Sequence, residues 1–336
     1  MGRITTLRDV AERAGVSTAT ASRVLTGSAR VRAETRERVE QAIRDLLYVP
    51  PGRPPRTGAI GLLVPELANP IFPAFAQAME TQATRAGLAT ILCNIRGSTV
   101  AETEYVQMLL EHRVEGMIFI SSEAADLRAD HSHYARMLAQ GARIVFVNGV
   151  VDTLGVPHVG VDERAAGQIA TQHLLDLGHT RIGFVAGPDR FLPTREKAAG
   201  RERALAAAGV APDGLVAHAE FGVEGGAAAM RKLLEQARPP TGVICSSDLM
   251  AIGALRETRR RGLRVPEDVS IVGFDGIEAS AWTEPPLTTI EQPIAEIART
   301  AVATLGSLAT SPASAMPNVQ FRPRLRVRGS TAPPPG

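Results

Sequence analysis

The sequence predicts a small all-α domain followed by a larger α/β body made of two lobes. Apolar residues recur at helical spacing through residues 6–47, whereas short β-rich runs alternate with helical stretches from residue 59 onward. Between these two regions, residues 48–57 concentrate proline and arginine in the stretch YVPPGRPPRT. A chain of 336 residues is long enough for two or three domains of about 100 to 200 residues each.

Composition indicates a folded chain that contains no membrane span. Hydrophobic residues make up 44% and charged residues 21%, which is ordinary for a globular protein. The chain has no apolar run of about 18 residues, and its first residues, MGRITTLRDV, lack the apolar core of a secretory signal. We therefore expect a cytoplasmic protein. Cys93 and Cys245 lie in separate strand-like runs, so we expect neither a metal site nor a cofactor.

Positive charge is concentrated in the N-terminal region. Residues 1–57 carry eleven Arg against six Asp or Glu, a net charge of +5, although the whole chain has a net charge of only +2. A basic segment of this kind can bind a polyanion such as DNA. The charge asymmetry therefore favours a nucleic-acid partner for the first domain.

The N-terminal region predicts two short helices joined by a tight turn. Thr6 is a suitable N-cap for a helix that reaches Ala14, and Gly15 ends it. Ser17 can cap a second helix whose outward face is small and polar and carries Arg23. Such a face can approach the major groove closely, with hydroxyls for phosphates and Arg for guanine. The pattern is a helix-turn-helix, and the predicted DNA contacts are Thr6, Ser17, Thr18, Ala19, Thr20, Ser22 and Arg23.

A third helix is predicted from about Ala33 to Leu47. With it, the region TLRDVAERAGVSTATASRVLTG to YVP resembles the headpiece of the lactose-repressor and galactose-repressor (LacI/GalR) family of bacterial transcription regulators. The resemblance implies that Thr18, Ala19 and Arg23 read bases. The chain departs from the family where Ala21 replaces a usual Val and Arg32 replaces the Ser that caps the third helix, so we expect a working headpiece of lower stability.

The body predicts two parallel sheets with helices on both faces. Near-continuous apolar runs separated by helical stretches are typical of such sheets, and the predicted strands are AIGLLV, ATILCN, GMIFIS, RIVFVN, HVGVD, RIGFVAG, GVICSS and SIVGFD. Ligands of open α/β sheets bind beyond the carboxyl ends of the strands. We therefore expect a binding cleft between the two lobes.

The LacI/GalR resemblance continues through the body, in blocks such as IGLLVPELANPIF, VGVDERAAGQIATQHLLDLGHTRIGFVAGP and PPLTTIEQP. It implies a two-lobed fold like that of periplasmic sugar-binding proteins. Carried over by position, it implies an effector site formed by Asn69, Phe72, Asn148, Asp162, Lys197, Phe221, Ser247 and Asp275. Carboxylates suit the hydroxyls of a polyol and Phe rings can stack on a sugar. The alternatives are a helix N-cap for each Asp and core packing for each Phe.

Two departures bear on the effector. Lys197 stands where the family usually has Arg, and Ser247 where it usually has Asn. Because Lys lacks the planar fork of Arg, bidentate recognition of a planar or anionic ligand is weaker. A sugar or polyol is therefore favoured over a nucleobase.

The pair His131 and His133 has no carboxylate at ligand spacing, which predicts a solvated loop or helix start rather than a metal site.

The segment between the two regions departs furthest from the family. Relatives form a hinge helix that inserts a leucine into the minor groove, whereas PGRPPRT contains no Leu and is rich in Pro. Three interpretations remain open: a semi-rigid tether, a truncated hinge, or groove reading by Arg53 with Arg56 as backbone support.

The predicted domains are a headpiece at 1–48, a linker at 49–58 and an effector and dimerisation domain at 59–336. Within the last domain, lobe one is predicted at about 59–159 plus 292–320 and lobe two at about 160–290.

These observations predict a homodimeric, ligand-responsive repressor that binds double-stranded operator DNA. A solute-binding protein for a sugar transporter is the alternative, because its body would look alike, but it has no use for the headpiece. An enzyme is not expected, because the nucleophile-elbow, P-loop, dinucleotide and zinc-protease motifs do not occur in the sequence.

Overall fold

The computed structural model describes residues 5–26, 31–46, 48, 58–96, 98–211, 214–311, 313 and 317–335. It divides the chain into two compact units, Met1–Thr57 and Gly58–Gly336. Arg53 and Arg56, and with them the three interpretations of the linker, lie outside the described residues. Within the described part, no helix is long and apolar enough to cross a membrane.

The first unit contains three helices in its described part: α1 (Leu7–Ala14), α2 (Thr18–Leu25) and α3 (Ala33–Asp45). Thr6 caps α1 in a capping box with Asp9, and Gly15 ends the helix with a φ of 64°. The Ser17 hydroxyl accepts from the Thr20 amide at the start of α2. These local signals are the ones that predicted the helix boundaries.

The headpiece core is small. Val10, Ala21 and Val39 are buried, one from each helix, and Tyr48 closes the cluster. At the start of α3, Arg32 occupies the N-cap position and makes no side-chain cap hydrogen bond. The predicted loss of this cap is therefore confirmed.

The second unit alternates strands and helices. Its elements are β1 (Gly58–Val64), α4 (Ile71–Arg85), β2 (Leu88–Asn94), α5 (Thr99–Glu111), β3 (Gly116–Ile120), α6 (Ser132–Ala139), β4 (Ile144–Val147), β5 (His158–Val161), α7 (Glu163–Asp176), β6 (Ile182–Ala186), α8 (Leu192–Ala207), β7 (Val216–His218), α9 (Val223–Leu234), β8 (Gly242–Cys245), α10 (Asp248–Arg260), β9 (Ser270–Asp275), β10 (Thr288–Glu291), α11 (Ile294–Ser307), β11 (Val319–Phe321) and β12 (Arg324–Arg326).

The strands form two six-stranded sheets, one in each lobe. The first has the order β11-β5-β4-β3-β1-β2 and the second has the order β12-β10-β9-β8-β6-β7. Neighbouring strands are parallel except for β12, which is antiparallel to β10. The eight predicted strands are present, whereas the short strands β7, β10, β11 and β12 were not predicted.

The chain passes between the lobes after β5, after β10 and after β11. The predicted boundary at Val159 falls inside β5, which extends lobe one to Val161. The central strands β3, β4, β6, β8 and β9 are buried along their whole length. This burial explains their near-continuous apolar sequence, because helices cover both faces of each sheet.

Candidate functional site

The first candidate surface is the exposed face of α2. Thr18, Ala19 and Arg23 are exposed, and Thr20 and Ser22 are half-buried beside them. The hydroxyls of Ser17 and Thr20 lie 2.9 Å apart at the helix start. Small side chains and hydroxyls therefore surround one arginine, which is the surface that a helix needs to enter the major groove.

The second candidate site is a cavity of about 880 Å³ between the two lobes. It lies at the carboxyl ends of the strands, where a parallel α/β sheet places its ligands. Seven of the eight predicted effector residues line it: Asn69, Phe72, Asn148, Lys197, Phe221, Ser247 and Asp275.

Asp162 is the predicted residue that the structure places outside the cavity lining. Its Oδ1 accepts a hydrogen bond of 2.8 Å from the Ala165 amide and caps α7, which is the alternative role weighed for it. Its neighbour Glu163 lines the cavity instead. Ser247 combines both roles, because it lines the cavity and its Oγ also accepts from the Met250 amide at the start of α10.

Lys197 does not offer a free charge to the cavity. Its ammonium group forms an ion pair with the Glu163 carboxylate, and the two side chains are only 7% and 11% exposed. The ammonium nitrogen also lies 3.7 Å from the centroid of the Phe274 ring. Burial raises the pKa of Glu163 and the charge of Lys197 opposes that rise. The charge of Lys197 is therefore paired with a carboxylate inside the cleft wall.

A chain of hydrogen bonds connects the lobes at the floor of the cleft. Gln292, in the passage between β10 and α11, donates to Asp275 Oδ1 at 2.8 Å and accepts from Asn148 Nδ2 at 3.0 Å. Asn148 Oδ1 accepts in turn from the Val161 amide at 3.0 Å. Burial, reinforced by the charge of Asp248, raises the pKa of Asp275 well above its usual range. The bonds link lobe two to lobe one through a single glutamine.

Backbone conformations that side chains rarely adopt occur around the cavity. Arg96, Ser121, Asn148 and Asp275 follow or end strands and have positive φ values of 51°, 45°, 53° and 120°. All four line the cavity. Strained residues of this kind concentrate at functional sites, where they turn side chains into the cleft.

Two aromatic rings lie side by side in the wall of lobe two. The centroids of Phe191 and Phe221 are 5.7 Å apart, and Phe221 is 42% exposed. A Cβ atom at Gly187 would overlap the Phe221 ring, so the ring position requires glycine there. The exposed Phe221 ring offers an apolar face to a ligand.

An ion pair joins the lobes at the cleft. Arg190 of lobe two lies 2.9 Å from the Asp126 carboxylate of lobe one, and the Leu127 amide donates to the Arg190 carbonyl at 2.8 Å. Both charged residues line the cavity. These contacts hold the two walls together on one side of the cleft.

Several residues of the cavity carry no recognisable signal in the sequence. Glu163 follows Asp162 directly, and local sequence does not reveal which of the two faces the cavity. Gln292 lies in the block PPLTTIEQP, which was recognised without assigning the glutamine a role. Phe274 lies inside the predicted strand SIVGFD, and neither Phe274 nor Phe191 has a sequence signal that marks it as a cavity residue.

The two histidines lie at a helix start, as predicted, because His131 is the N-cap of α6, but the His133 side chain is not solvated. This side chain is buried, with 8% of its surface exposed, and its Nε2 lies 3.0 Å from Glu102 Oε1. The carboxylate comes from α5, 31 residues earlier in the chain, so spacing near the histidines could not reveal it.

Known proteins with similar sequences match both the headpiece and the body of this chain. Residues 6–51 match the family of bacterial regulatory proteins of the lacI type, and residues 171–331 match a periplasmic binding protein-like domain. A relative described as an HTH-type transcriptional regulator, from Streptomyces limosus, is 46% identical over 97% of this chain and 94% of its own length.

Two solved structures share the whole architecture. A complex of the transcriptional regulator CelR with cellobiose has a TM-score of 0.73 and 33% identity, covering 97% of this chain and 99% of that one. The Lac repressor dimer bound to operator and the anti-inducer ONPF has a TM-score of 0.73 and 29% identity, covering 98% and 100%. With its helix-turn-helix and its interlobe cleft, the chain belongs to the LacI family of DNA-binding transcriptional regulators.

Proposed function

We propose that this regulator is a homodimeric repressor whose operator affinity is set by a neutral sugar or polyol bound in the interlobe cleft. The observation that carries the proposal is the ion pair of Lys197 with Glu163 in the cavity wall. A free ammonium group would favour an anionic ligand, whereas a paired one gives an anion little advantage.

The other polar groups in the cavity suit hydroxyls. Asn69, Asn148 and Ser247 offer amide and hydroxyl groups, and Asp275 offers a carboxyl group. Each can donate to or accept from the alcohol groups of a polyol. The exposed ring of Phe221 can cover the apolar face of a sugar.

The size of the cavity favours an effector larger than one sugar ring. Its volume of about 880 Å³ lies near the upper end of the range of roughly 300 to 1,000 Å³ for small-molecule sites. The complex of a related regulator with cellobiose, a disaccharide, supports the same size class.

For DNA, we assign base reading to Thr18, Ala19 and Arg23 and phosphate contacts to Thr6, Ser17, Thr20 and Ser22. Two headpieces would read a pseudo-palindromic site, as expected for a two-fold dimer. The Lac repressor dimer on its operator supports this assembly. An effector that prefers one arrangement of the lobes would change DNA affinity, because linkage requires only that preference.

Calorimetric titration of the full chain tests the effector class. The probes are cellobiose and other neutral disaccharides, a hexose 6-phosphate and hypoxanthine. We expect the wild-type chain to bind a neutral disaccharide. In Glu163→Gln, the unpaired Lys197 should raise the affinity for the hexose phosphate, relative to the neutral sugar, by about tenfold.

Glu196→Gln is the matched control, because Glu196 pairs with Arg164 across the same two helices but stands outside the cavity lining. This variant should keep the preference of the wild-type chain. Binding of the phosphate or hypoxanthine but of no neutral sugar by the wild-type chain would show that the proposed effector class is wrong.

A further inference from the structure

Three side chains with metal-ligand chemistry meet in lobe one. Glu102 comes from the first turn of α5, Glu123 from the turn after β3, and His133 from α6. One donor atom from each lies within 4.8 Å of the other two. Glu102 is fully buried and His133 is 8% exposed, so this is not a cluster of solvated surface acids.

The hydrogen bonding of His133 orients its ring for coordination. Its Nδ1 lies 3.1 Å from the carbonyl oxygen of Asp130, which only accepts, so Nδ1 carries a proton. Its Nε2 points at the two carboxylates, 3.0 Å from Glu102 Oε1 and 3.9 Å from Glu123 Oε2. Metal-bound histidines have this arrangement, with one nitrogen on a carbonyl and the other toward the ion.

Glu102 is held in place but only half satisfied. The Tyr134 hydroxyl donates to its Oε1 at 2.6 Å, and Ser122 supports that hydroxyl at 3.0 Å. Its Oε2 is buried and has no hydrogen-bond partner among the described residues. A buried carboxylate oxygen without a partner is costly unless a cation or donor compensates it.

The donor types of the three groups point the same way. One imidazole nitrogen and two carboxylates meet at one place, and this combination suits Zn²⁺ and similar transition metals. We propose that Glu102, Glu123 and His133 form a binding site for a divalent transition-metal ion.

The three-residue cluster lies next to the cleft, and none of its residues is among the proposed sugar contacts. Glu123 lines the cavity, and three residues further along the same loop Asp126 makes the ion pair with Arg190 of lobe two. A metal ion at this position would fix the loop that carries one half of the interlobe contact.

The experiment uses the full chain, stripped with a chelator and titrated with Zn²⁺ against a chromophoric competitor. We expect one Zn²⁺ per chain. His133→Ala should weaken binding at least about tenfold, and Glu102→Gln should do the same. His112→Ala is the matched control, because His112 is exposed on the neighbouring helix end, and its removal should leave the affinity unchanged.

No binding by the wild-type chain, or equal binding by wild type and His133→Ala, would overturn the proposal. Should the variants fail to fold, crystals of the wild-type chain soaked in Zn²⁺ decide the question. An anomalous peak among the three side chains supports the site, and a peak elsewhere or no peak overturns it.

Discussion

The two binding surfaces of this regulator are built in opposite ways. In the headpiece, Thr18, Ala19 and Arg23 are exposed on one short helix, and the caps that position them come from adjacent residues. In the cleft, Lys197 and Asp275 are buried, and contacts join residues that are far apart in sequence, such as the bond between Asn148 and Gln292 across 144 positions. Changes on the exposed face of α2 should therefore alter DNA binding alone, whereas changes in the cleft should alter stability and ligand binding together.

The largest expected effect comes from the contact between α7 and α8. A Cβ atom at Gly200 would overlap the Arg164 carbonyl oxygen, which is backbone and cannot rotate away. Gly200→Ala must separate the helices that carry Glu163 and Lys197, so we expect it to destabilise the body by about 3 kcal/mol. Denaturant unfolding measures the stability, and calorimetric titration should show weaker binding of the effector.

Gly306→Ala is the control for this prediction. Gly306 lies in helix α11, and a Cβ atom there would meet nothing within 4 Å. The substitution should stabilise the chain by up to about 1 kcal/mol, because alanine favours a helix over glycine. Equal stability of the two variants would show that the helix contact does not limit the fold.

The second-largest expected loss of stability comes from Gln292, whose side chain connects the two lobes. Gln292→Leu leaves the buried Asp275 Oδ1 without the amide donor and Asn148 Nδ2 without its acceptor. We expect a loss of about 2 kcal/mol of unfolding free energy and a smaller change in DNA affinity when effector is added. Unfolding and operator binding with and without effector measure the two quantities.

Gln172→Leu is the matched control, because Gln172 bonds Asp176 on the exposed surface of α7. It should change stability by less than about 0.5 kcal/mol. A Gln292→Leu variant with wild-type response to the effector would show that the glutamine is structural only.

The same contrast explains how much of the fold could be predicted. The helix starts at Thr6 and Ser17 follow from caps that act within three residues, and the buried strands follow from their apolar runs. The strands β7, β11 and β12 escaped prediction because each is three residues long and lies at the edge of its sheet. Pairing across the sheet, rather than local pattern, defines such strands.

For the cleft, position in the family predicted the strand-end residues but not their partners. The pairing of Lys197 with Glu163 depends on two helices that meet at glycines, Gly167 and Gly200, and no local pattern encodes that contact. Asp162 shows the limit most directly, because a carboxylate after a strand is equally suited to cap a helix or to bind a ligand. The structure makes it a cap.

In the headpiece, Arg23→Ala should reduce specific DNA binding and leave the effector domain unaffected. Arg23 is exposed on α2, and loss of one arginine contact to a base costs about 1.5 kcal/mol, or roughly tenfold in affinity. Quantitative footprinting on the operator measures the affinity, and calorimetric titration should show effector binding unchanged. Arg38→Ala, which removes an exposed arginine from α3, should weaken binding to all DNA sequences equally.

The smallest effect tests the missing cap of the third helix. Arg32 has the extended backbone of an N-cap, with φ of −59° and ψ of 145°, but makes no cap hydrogen bond. In Arg32→Ser, the hydroxyl can accept from an amide in the first turn of α3, which should stabilise the headpiece by about 1 kcal/mol. Hydrogen exchange of the α3 amides in the full chain measures the gain, and the body amides should exchange as before.

Arg38→Ser is the control, because it removes the same charge within the helix. Serine is a poorer helix former than arginine, so this variant should lower the protection of the α3 amides. If both serine variants exchange alike, the small core of Val10, Ala21 and Val39, rather than the missing cap, sets the stability of the headpiece.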